Sequence, residues 1–207
     1  MGGRGSSGGK GGKSASSAPT EYKNITRSMA EKLQEQVYGQ DSYWIVKNAT
    51  EDYVAGVASY LNYNLRVGDP LSPTHKDVMS KMDGAMKPLG ADIKLTRFID
   101  KSYAVDILGL QQSDFTNLKG AADKLNKTVV GNVIRETAYM STSYNPKANV
   151  FTYRTVKMNI KAPKNTKGII TNNRTESEIV LGRNTKYTIT GAKANRGKLE
   201  LDVTILP

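Results

Sequence analysis

The spacing of apolar residues changes along the chain, and this change limits the folds that the chain can adopt. In the first part, apolar residues recur three or four positions apart, as they do on one face of a helix. Such stretches run over residues 26–37, from a Thr50 cap to the residue before Gly68, and from Ser72 to about Lys87. The sequence therefore predicts a small N-terminal layer of helices.

The second part of the chain is dominated by alternation of apolar and polar residues, which is typical of strands with one buried face. Strands are predicted at residues 93–99 and 152–162, and a hairpin at 186–190 and 198–206. Residues 113–126 have helical spacing, and residues 133–140 fit either a strand or a turn. The predicted fold class is α+β, with the helices packed on an antiparallel sheet.

Two glutamates separated by one residue, Glu176 and Glu178, lie where a polar loop rich in Asn and Thr meets an apolar run. Residues two apart on a strand point to the same face, about 7 Å apart along the chain. If a strand begins near Glu176, both carboxylates enter one space, with Glu178 held by the sheet and Glu176 at the edge of the loop. The alternative interpretation of this stretch alone is a solvated strand edge, because charged edges protect against strand pairing.

The composition excludes several kinds of chemistry. The chain of 207 residues has no cysteine, which rules out disulfides and thiolate nucleophiles, and its one histidine, His75, rules out histidine clusters for metal binding. A formal net charge of +11 at pH 7 favours polyanionic partners without choosing among them.

The N-terminal segment differs from the rest in composition. Residues 1–22 consist largely of Gly, Ser and Lys and are predicted to be a flexible basic tail, whereas residues 23–207 are predicted to form a single domain. The chain has neither the apolar centre of a signal peptide nor a run of about 20 apolar residues that could span a membrane. We therefore expect no signal peptide and no transmembrane segment.

Three polar features now need a joint explanation: Arg97 on an early strand, the triplet Ser141-Thr142-Ser143, and the Glu176/Glu178 pair. In this order they resemble the bacterial toxin class of mono-ADP-ribosyltransferases, and they are most similar to iota-type and Vip2-like binary toxins and to C3 exoenzymes. Phe151-x-x-Arg154 and the run Glu176–Leu181 also resemble the motifs of that family. The resemblance covers residues 26–207 and implies an ADP-ribosyltransferase-like fold, in which an N-terminal helical layer packs on a split antiparallel β-sheet core.

The resemblance implies that NAD is the co-substrate, with no metal. Glu178 would stabilise the positive charge that develops on the ribose, Ser141 would hold Glu178 by a hydrogen bond, and Glu176 would orient and deprotonate the acceptor. Arg97 and Arg154 would grip the diphosphate, and Phe151 would pack on the nicotinamide end. Further cofactor-binding residues would be Thr142, Ser143, Tyr53, Tyr60 and Arg66.

A glutamate at the first position of the pair goes with arginine as the acceptor in this family, so the resemblance implies transfer of ADP-ribose to an arginine of a host-cell target protein. Two positions differ from the family pattern. Asn173 stands where iota-type toxins carry an aromatic residue, and Asn62 stands where the helix usually has an arginine, for which Arg66 could substitute.

The expected enzyme is a monomer that acts in the host cytoplasm and reaches it through a delivery partner, a secretion system or a phage particle. The alternative hypothesis is a basic virion-associated or nucleic-acid-binding protein with an accessory or vestigial NAD pocket, which the charge and the Gly/Lys-rich tail motivate. Both hypotheses allow weak contact between the tail and polyanions.

Overall fold

The computed structural model describes residues 20–147 and 150–207. Most of the predicted tail, residues 1–22, lies outside these ranges. The helices are α1 Arg27–Tyr38, α2 Ser42–Asp52, α3 Ala58–Val67, α4 Pro73–Ala85, α5 Lys101–Leu108 and α6 Leu118–Thr128, with a short 3-10 helix at Gln112–Thr116. The strands are β1 Lys87–Pro88, β2 Ile93–Ile99, β3 Val133–Glu136, β4 Met140–Ser143, β5 Val156–Ala162, β6 Lys167–Ile170, β7 Glu178–Leu181, β8 Thr185–Asn195 and β9 Lys198–Ile205.

The strands form one sheet in the order β1-β6-β7-β4-β2-β5-β9-β8-β3. Every neighbouring pair is antiparallel except β5 and β9, which run parallel with Val156 opposite Leu199. The α+β class is confirmed, and the sheet differs from the antiparallel expectation at this one pair. Alternation along a strand shows which residues share a face, but it carries no information on the direction of the neighbouring strand.

Helices α2, α3 and α4 of the N-terminal layer pack on the sheet through one hydrophobic cluster, whereas Ala30 of α1 belongs to another. Val46, Leu61 and Met82 of α2, α3 and α4 are buried against Tyr139 and Val180, which belong to the β4 and β7 region. A second and larger cluster buries α5 and α6 against the central strands. The sequence predicted the first helical layer but not α5, so it missed part of the second.

The first and third predicted helices are confirmed to within a few residues. Helix α1 starts after Thr26, whose hydroxyl accepts a hydrogen bond from the backbone N–H of Met29 over 3.3 Å. Ser72 caps α4 in the same way, accepting from the N–H of His75 over 3.1 Å. These Ser and Thr caps satisfy N–H groups that the first turn of a helix leaves unpaired.

The predicted start of the second helix at Thr50 is wrong. Thr50 lies inside α2 and donates its hydroxyl to the Val46 carbonyl over 2.8 Å. A π-helical segment, Tyr53–Val57, joins α2 to α3. Its bend is at Gly56, where φ is 135°, a conformation that only glycine adopts readily.

Two regions of the second part also differ in detail from the prediction. The single helix expected over residues 113–126 is interrupted at Asn117, whose side chain accepts a hydrogen bond from the N–H of Gly120 over 3.0 Å and so starts α6. The strand expected from residue 152 begins only at Val156. Of the helices in residues 20–147 and 150–207, none is long and apolar enough to cross a membrane.

Candidate active site

A cleft of about 510 Å³ opens where the bent α2–α3 region meets the ends of β2, β4 and β7. This volume is within the range of about 300–1,000 Å³ that is usual for ligand pockets. The predicted site residues that line it are Tyr53, Arg66, Arg97, Ser141, Thr142, Ser143, Phe151, Arg154, Glu176 and Glu178. Tyr60 does not join them: its side chain is 73% exposed and is not part of the cleft wall.

Glu178 is the buried carboxylate of the cleft. It opens β7, pairs in register with Ser143 of β4, and is only 5% exposed. The Thr171 hydroxyl donates a hydrogen bond to its Oε2 over 3.2 Å. Burial raises the pKa of Glu178 to about 7; hydrogen bonding to Ser141 opposes this rise, the negative charge of Glu176 adds to it, and the bond to Thr171 opposes it. The carboxylate therefore titrates close to neutral pH.

Glu176 reaches the same cleft by a different route from the one expected. The strand begins at Glu178 and not at Glu176, because Ser177 between the two glutamates has φ of 50°, in the left-handed region. The expectation that both carboxylates lie on one strand is therefore wrong, whereas Glu178 in the sheet and Glu176 at the edge of the loop are as expected. The turn at Ser177 nonetheless leaves Glu176 half-buried at the cleft wall, on the loop side of Glu178.

The loop that carries Glu176 is fixed by short polar contacts. Asn173 accepts a hydrogen bond from the N–H of Glu176 over 3.3 Å, and the N–H of Asn173 donates to the Thr171 hydroxyl over 3.2 Å. The Ser143 hydroxyl donates to the Glu176 carbonyl over 2.7 Å. The backbone of the loop is thus held in place, while the Glu176 side chain faces the cleft.

The three hydroxyls of the Ser-Thr-Ser triplet have different partners. The Ser141 hydroxyl lies 3.3 Å from the Tyr53 hydroxyl, and its interaction with Glu178 lowers the pKa of that carboxyl. Thr142 donates to the Ile179 carbonyl over 2.6 Å, and Ser143 donates to the Glu176 carbonyl. Thr142 and Ser143 therefore use their hydroxyls to hold the strand and loop of the glutamates, whereas the Ser141 hydroxyl lies beside that of Tyr53.

Tyr53 is positioned by Asn62, a residue whose role the sequence did not predict. The amide of Asn62 donates to the Tyr53 hydroxyl over 2.8 Å, and its Oδ1 accepts from the N–H of Tyr139 over 3.1 Å. The rings of Tyr53 and Tyr139 meet edge to face with centroids 5.7 Å apart. Asn62 thus ties the bent helix to the strand that carries Ser141.

Two guanidinium groups that line the cleft meet around a buried carboxylate. Arg66 Nε lies 3.1 Å from Glu136 Oε1, and Arg97 Nη1 lies 3.7 Å from Glu136 Oε2. Both guanidiniums also lie over the ring of Tyr103, at 4.6 Å and 5.3 Å from its centroid. Burial raises the pKa of Tyr103 to about 12, so its hydroxyl keeps its proton and donates to Glu136.

Arg154 and Phe151 form the remaining part of the wall. The Arg154 guanidinium lies 4.1 Å from the centroid of the Phe151 ring, an arrangement typical of cation–π contact. It also pairs with Asp100 over 3.0 Å and donates to the Phe98 carbonyl over 3.1 Å. Cation and ring are therefore presented to the cleft as one unit.

The chain matches the family model of the ADP-ribosyltransferase exoenzymes over residues 20–206. It belongs to this family. The enzyme is accordingly an NAD-dependent ADP-ribosyltransferase of the toxin type, and NAD is its co-substrate.

Solved structures share the fold of this ADP-ribosyltransferase. C3stau2 from S. aureus, solved with NAD, has a TM-score of 0.76 at 22% identity, covering 90% of this chain and 99% of that chain. The C3 exoenzyme of Clostridium limosum has a TM-score of 0.71 at 18% identity, covering 91% of this chain and 98% of that chain. Plx2a, an ADP-ribosyltransferase toxin from Paenibacillus larvae, has a TM-score of 0.70 at 23% identity, covering 87% of this chain and 96% of that chain. No curated protein sequence matches the chain.

The cleft of this ADP-ribosyltransferase carries a donor suited to the diphosphate of NAD. Arg97 Nη1 is buried and has no hydrogen-bond partner within residues 20–147 and 150–207. Buried donors are normally hydrogen-bonded, and a phosphate oxygen of a bound molecule is a suitable acceptor for a guanidinium. No cluster of three or more His, Asp or Glu side chains suited to a metal ion occurs within the same residues.

Sequence reasoning missed Glu136, Tyr103 and Thr171 as well as Asn62. One signal was present for Glu136, since it is the only acidic residue between Asp123 and Glu176 in a strongly basic chain. Tyr103 lies on α5, which was not predicted. Thr171 has no sequence signal, because its contact with Glu178 depends on the pairing of β6 with β7.

Proposed function

We propose that this enzyme, through a catalytic domain formed by residues 23–207, transfers ADP-ribose from NAD to an arginine of a target protein and releases nicotinamide. The observation that carries the proposal is that one cleft holds two carboxylates in different surroundings. Glu178 is buried with its pKa raised to about 7, and Glu176 is half-buried on a loop at the rim. Such a pair suits a reaction that needs one charge at the breaking bond and another at the acceptor.

Glu178 is assigned to the bond between nicotinamide and ribose. Positive charge develops on the ribose carbon as this bond breaks, and a carboxylate in a site with little water stabilises that charge more than it stabilises the ground state. Thr171 fixes one oxygen of Glu178 by a hydrogen bond, so the carboxylate does not have to reorient during the reaction. Ser141, linked in turn to Tyr53, supports it from the β4 side.

Glu176 is assigned to the acceptor. A carboxylate and a guanidinium form a strong charge-assisted pair, so Glu176 can draw an arginine to the cleft and accept its proton as the new bond forms. The loop backbone is fixed by Asn173 and Ser143, and this places the carboxylate beside the reaction centre.

The remaining residues are assigned to binding NAD. Arg97, with Arg66 and Arg154, supplies guanidinium donors for the diphosphate, whose oxygens suit the planar fork of such groups. Phe151 offers a ring against which the nicotinamide end can pack. Tyr53 is only 1% exposed, so it contributes through its hydroxyl beside Ser141 and not through its ring. Tyr60 has no part in this assignment because it lies outside the cleft wall.

The acceptor residue is tested by incubating the enzyme with isotopically labelled NAD and a mixture of host proteins, followed by mass spectrometry of the modified peptides. The proposal predicts that ADP-ribose is found on arginine side chains and that agmatine, a small guanidine, is also modified. Modification confined to asparagine or to another residue type would contradict the arginine assignment but not the transferase activity. The alternative role in nucleic-acid binding depends on the tail, most of which lies outside the described residues.

A further inference from the structure

Glu136 is a buried carboxylate surrounded by donors. Its side chain is 2% exposed, and it stands at the end of β3. Arg66 reaches both of its oxygens, over 3.1 Å and 3.4 Å, and the N–H of Ala138 donates to Oε1 over 3.0 Å. The Tyr103 hydroxyl donates to Oε2, and Arg97 Nη1 lies 3.7 Å from the same oxygen.

Glu136 lies behind the wall of the cleft. It is not one of the lining residues, whereas Arg66, Arg97 and Tyr103 all line the cleft. Any effect of Glu136 on a molecule in the cleft must therefore act through these three side chains.

The charges of the cluster explain why a carboxylate is needed at this place. Arg66 and Arg97 converge on the same ring, that of Tyr103, so two like charges are held close together in a partly buried site. Without a negative charge between them, the two guanidiniums would repel each other and turn towards solvent. Glu136 offsets one of the two positive charges and leaves one for an anion.

The geometry also shows that Glu136 does not occupy all the donors of the pair. At 3.7 Å, the contact between Arg97 Nη1 and Glu136 is longer than a hydrogen bond. Nη1 has no hydrogen-bond partner elsewhere in residues 20–147 and 150–207. Glu136 therefore holds the Arg97 guanidinium by charge and not by a hydrogen bond, and the Arg97 side chain, 12% exposed, still lines the cleft.

We infer that Glu136 is a positioning residue for the diphosphate of NAD: it holds Arg66 and Arg97 at the cleft wall without touching the substrate. The inference rests on the proposed function, because that function assigns the two arginines to the diphosphate. Glu136 has no part in the chemical step, so its effect is on binding.

The test is Glu136→Gln, which keeps the size of the side chain and removes its charge. The affinity for ADP-ribose and for nicotinamide is measured by calorimetry, and kcat and KM for NAD by hydrolysis. Misplacing a binding group can cost up to about 100-fold, so we expect KM for NAD and the Kd of ADP-ribose to rise by roughly tenfold or more. We expect kcat and the affinity for nicotinamide, which has no phosphate, to change by less than about twofold, as groups outside the diphosphate site keep their contacts.

The matched control is Glu200→Gln. Glu200 is another buried glutamate, 8% exposed, and it pairs with Lys157 over 3.4 Å and with Lys193 over 3.9 Å, away from the cleft. Loss of this carboxylate should lower stability in a similar way and leave the affinity for ADP-ribose unchanged.

A second variant, Glu136→Asp, tests whether the position of the carboxylate matters as well as its charge. It also replaces Glu136→Gln in the test if that variant does not fold. It keeps the charge but shortens the side chain, so the inference predicts weaker ADP-ribose binding for it as well. Unchanged or tighter ADP-ribose binding by a folded Gln or Asp variant would overturn the inference. Such a result would leave the proposed function intact if the wild-type enzyme cleaves NAD, whereas a wild-type enzyme that does not cleave NAD would contradict the proposed function itself.

Discussion

The Thr171 hydroxyl donates a hydrogen bond to the buried carboxylate of Glu178 across 3.2 Å, from the end of one strand to the start of the next. Burial raises the pKa of Glu178 to about 7, and the hydrogen bond from Thr171 opposes part of this rise. The enzyme thus has a carboxylate whose charge changes in the physiological pH range.

The activity should follow this titration. The carboxylate must be ionised to stabilise the positive charge on the ribose, so kcat/KM for NAD hydrolysis should rise with an apparent pKa of about 7. Thr171→Val removes the hydrogen bond that favours the ionised form, so the profile should move to higher pH. The measurement is the pH dependence of kcat/KM for both enzymes, and a profile that is flat from pH 5 to 9 would contradict the role of Glu178.

Ionisation of Glu178 should also affect stability: it is expected to raise the activity but to lower the stability of the fold. The pKa of Glu178 is raised from 4.5 to about 7 on folding, so the folded protein gains stability below pH 4.5 and loses it as the pH rises towards 7. Glu178→Gln carries no charge and should be more stable than wild type by about 3 kcal/mol at pH 8, with a difference that shrinks towards pH 5. Thermal melting of both proteins at several pH values measures this difference. A variant less stable than wild type at pH 8 would be inconsistent with a carboxylate whose charge is disfavoured by burial.

Glu176→Gln should separate the two activities. The amide cannot accept the proton of an arginine, so transfer to agmatine or protein should fall by a factor of about 100 or more. Hydrolysis of NAD should continue, because Glu178 and the arginines remain. Glu51→Gln, at an exposed position of α2, is the control and should leave both activities unchanged. If hydrolysis and transfer fall together in Glu176→Gln, the division of roles between the glutamates is wrong.

Asn62→Ala tests the support of Tyr53. The change removes the hydrogen bonds to the Tyr53 hydroxyl and to the N–H of Tyr139, and buried groups left without partners cost about 1–3 kcal/mol. We expect a lower free energy of unfolding in urea and a higher KM for NAD. A variant that is equal to wild type in both would show that Asn62 does not position the bent helix.

Much of the fold was predictable because it depends on local patterns. The helical spacing of apolar residues and the alternation in β2 located the helical layer and the central strand. The one predicted cap, Thr50, was wrong because this residue lies inside α2. The parallel pair of β5 and β9 was not predictable, since strand direction arises from contacts distant in sequence.

The site was predictable where motifs identify it and not where packing completes it. The order of the motifs predicted that Arg97, Ser141, Arg154 and Glu178 share one site, and all four line the cleft. Tyr60 was included from its helical position, and the bend at Gly56 leaves it facing solvent. Glu136 meets Arg66 only through folding of β3 against α3 and α5, which no spacing along the chain shows.

The central claim is that Glu178 carries the cleavage of NAD, and its most direct test is single-turnover cleavage of labelled NAD by wild type and by Glu178→Gln at pH 8. We predict that the variant binds NAD and melts cooperatively, but that its rate of nicotinamide release falls by a factor of about 100 to 1,000 or more. A folded Glu178→Gln enzyme that releases nicotinamide at the wild-type rate would contradict the account.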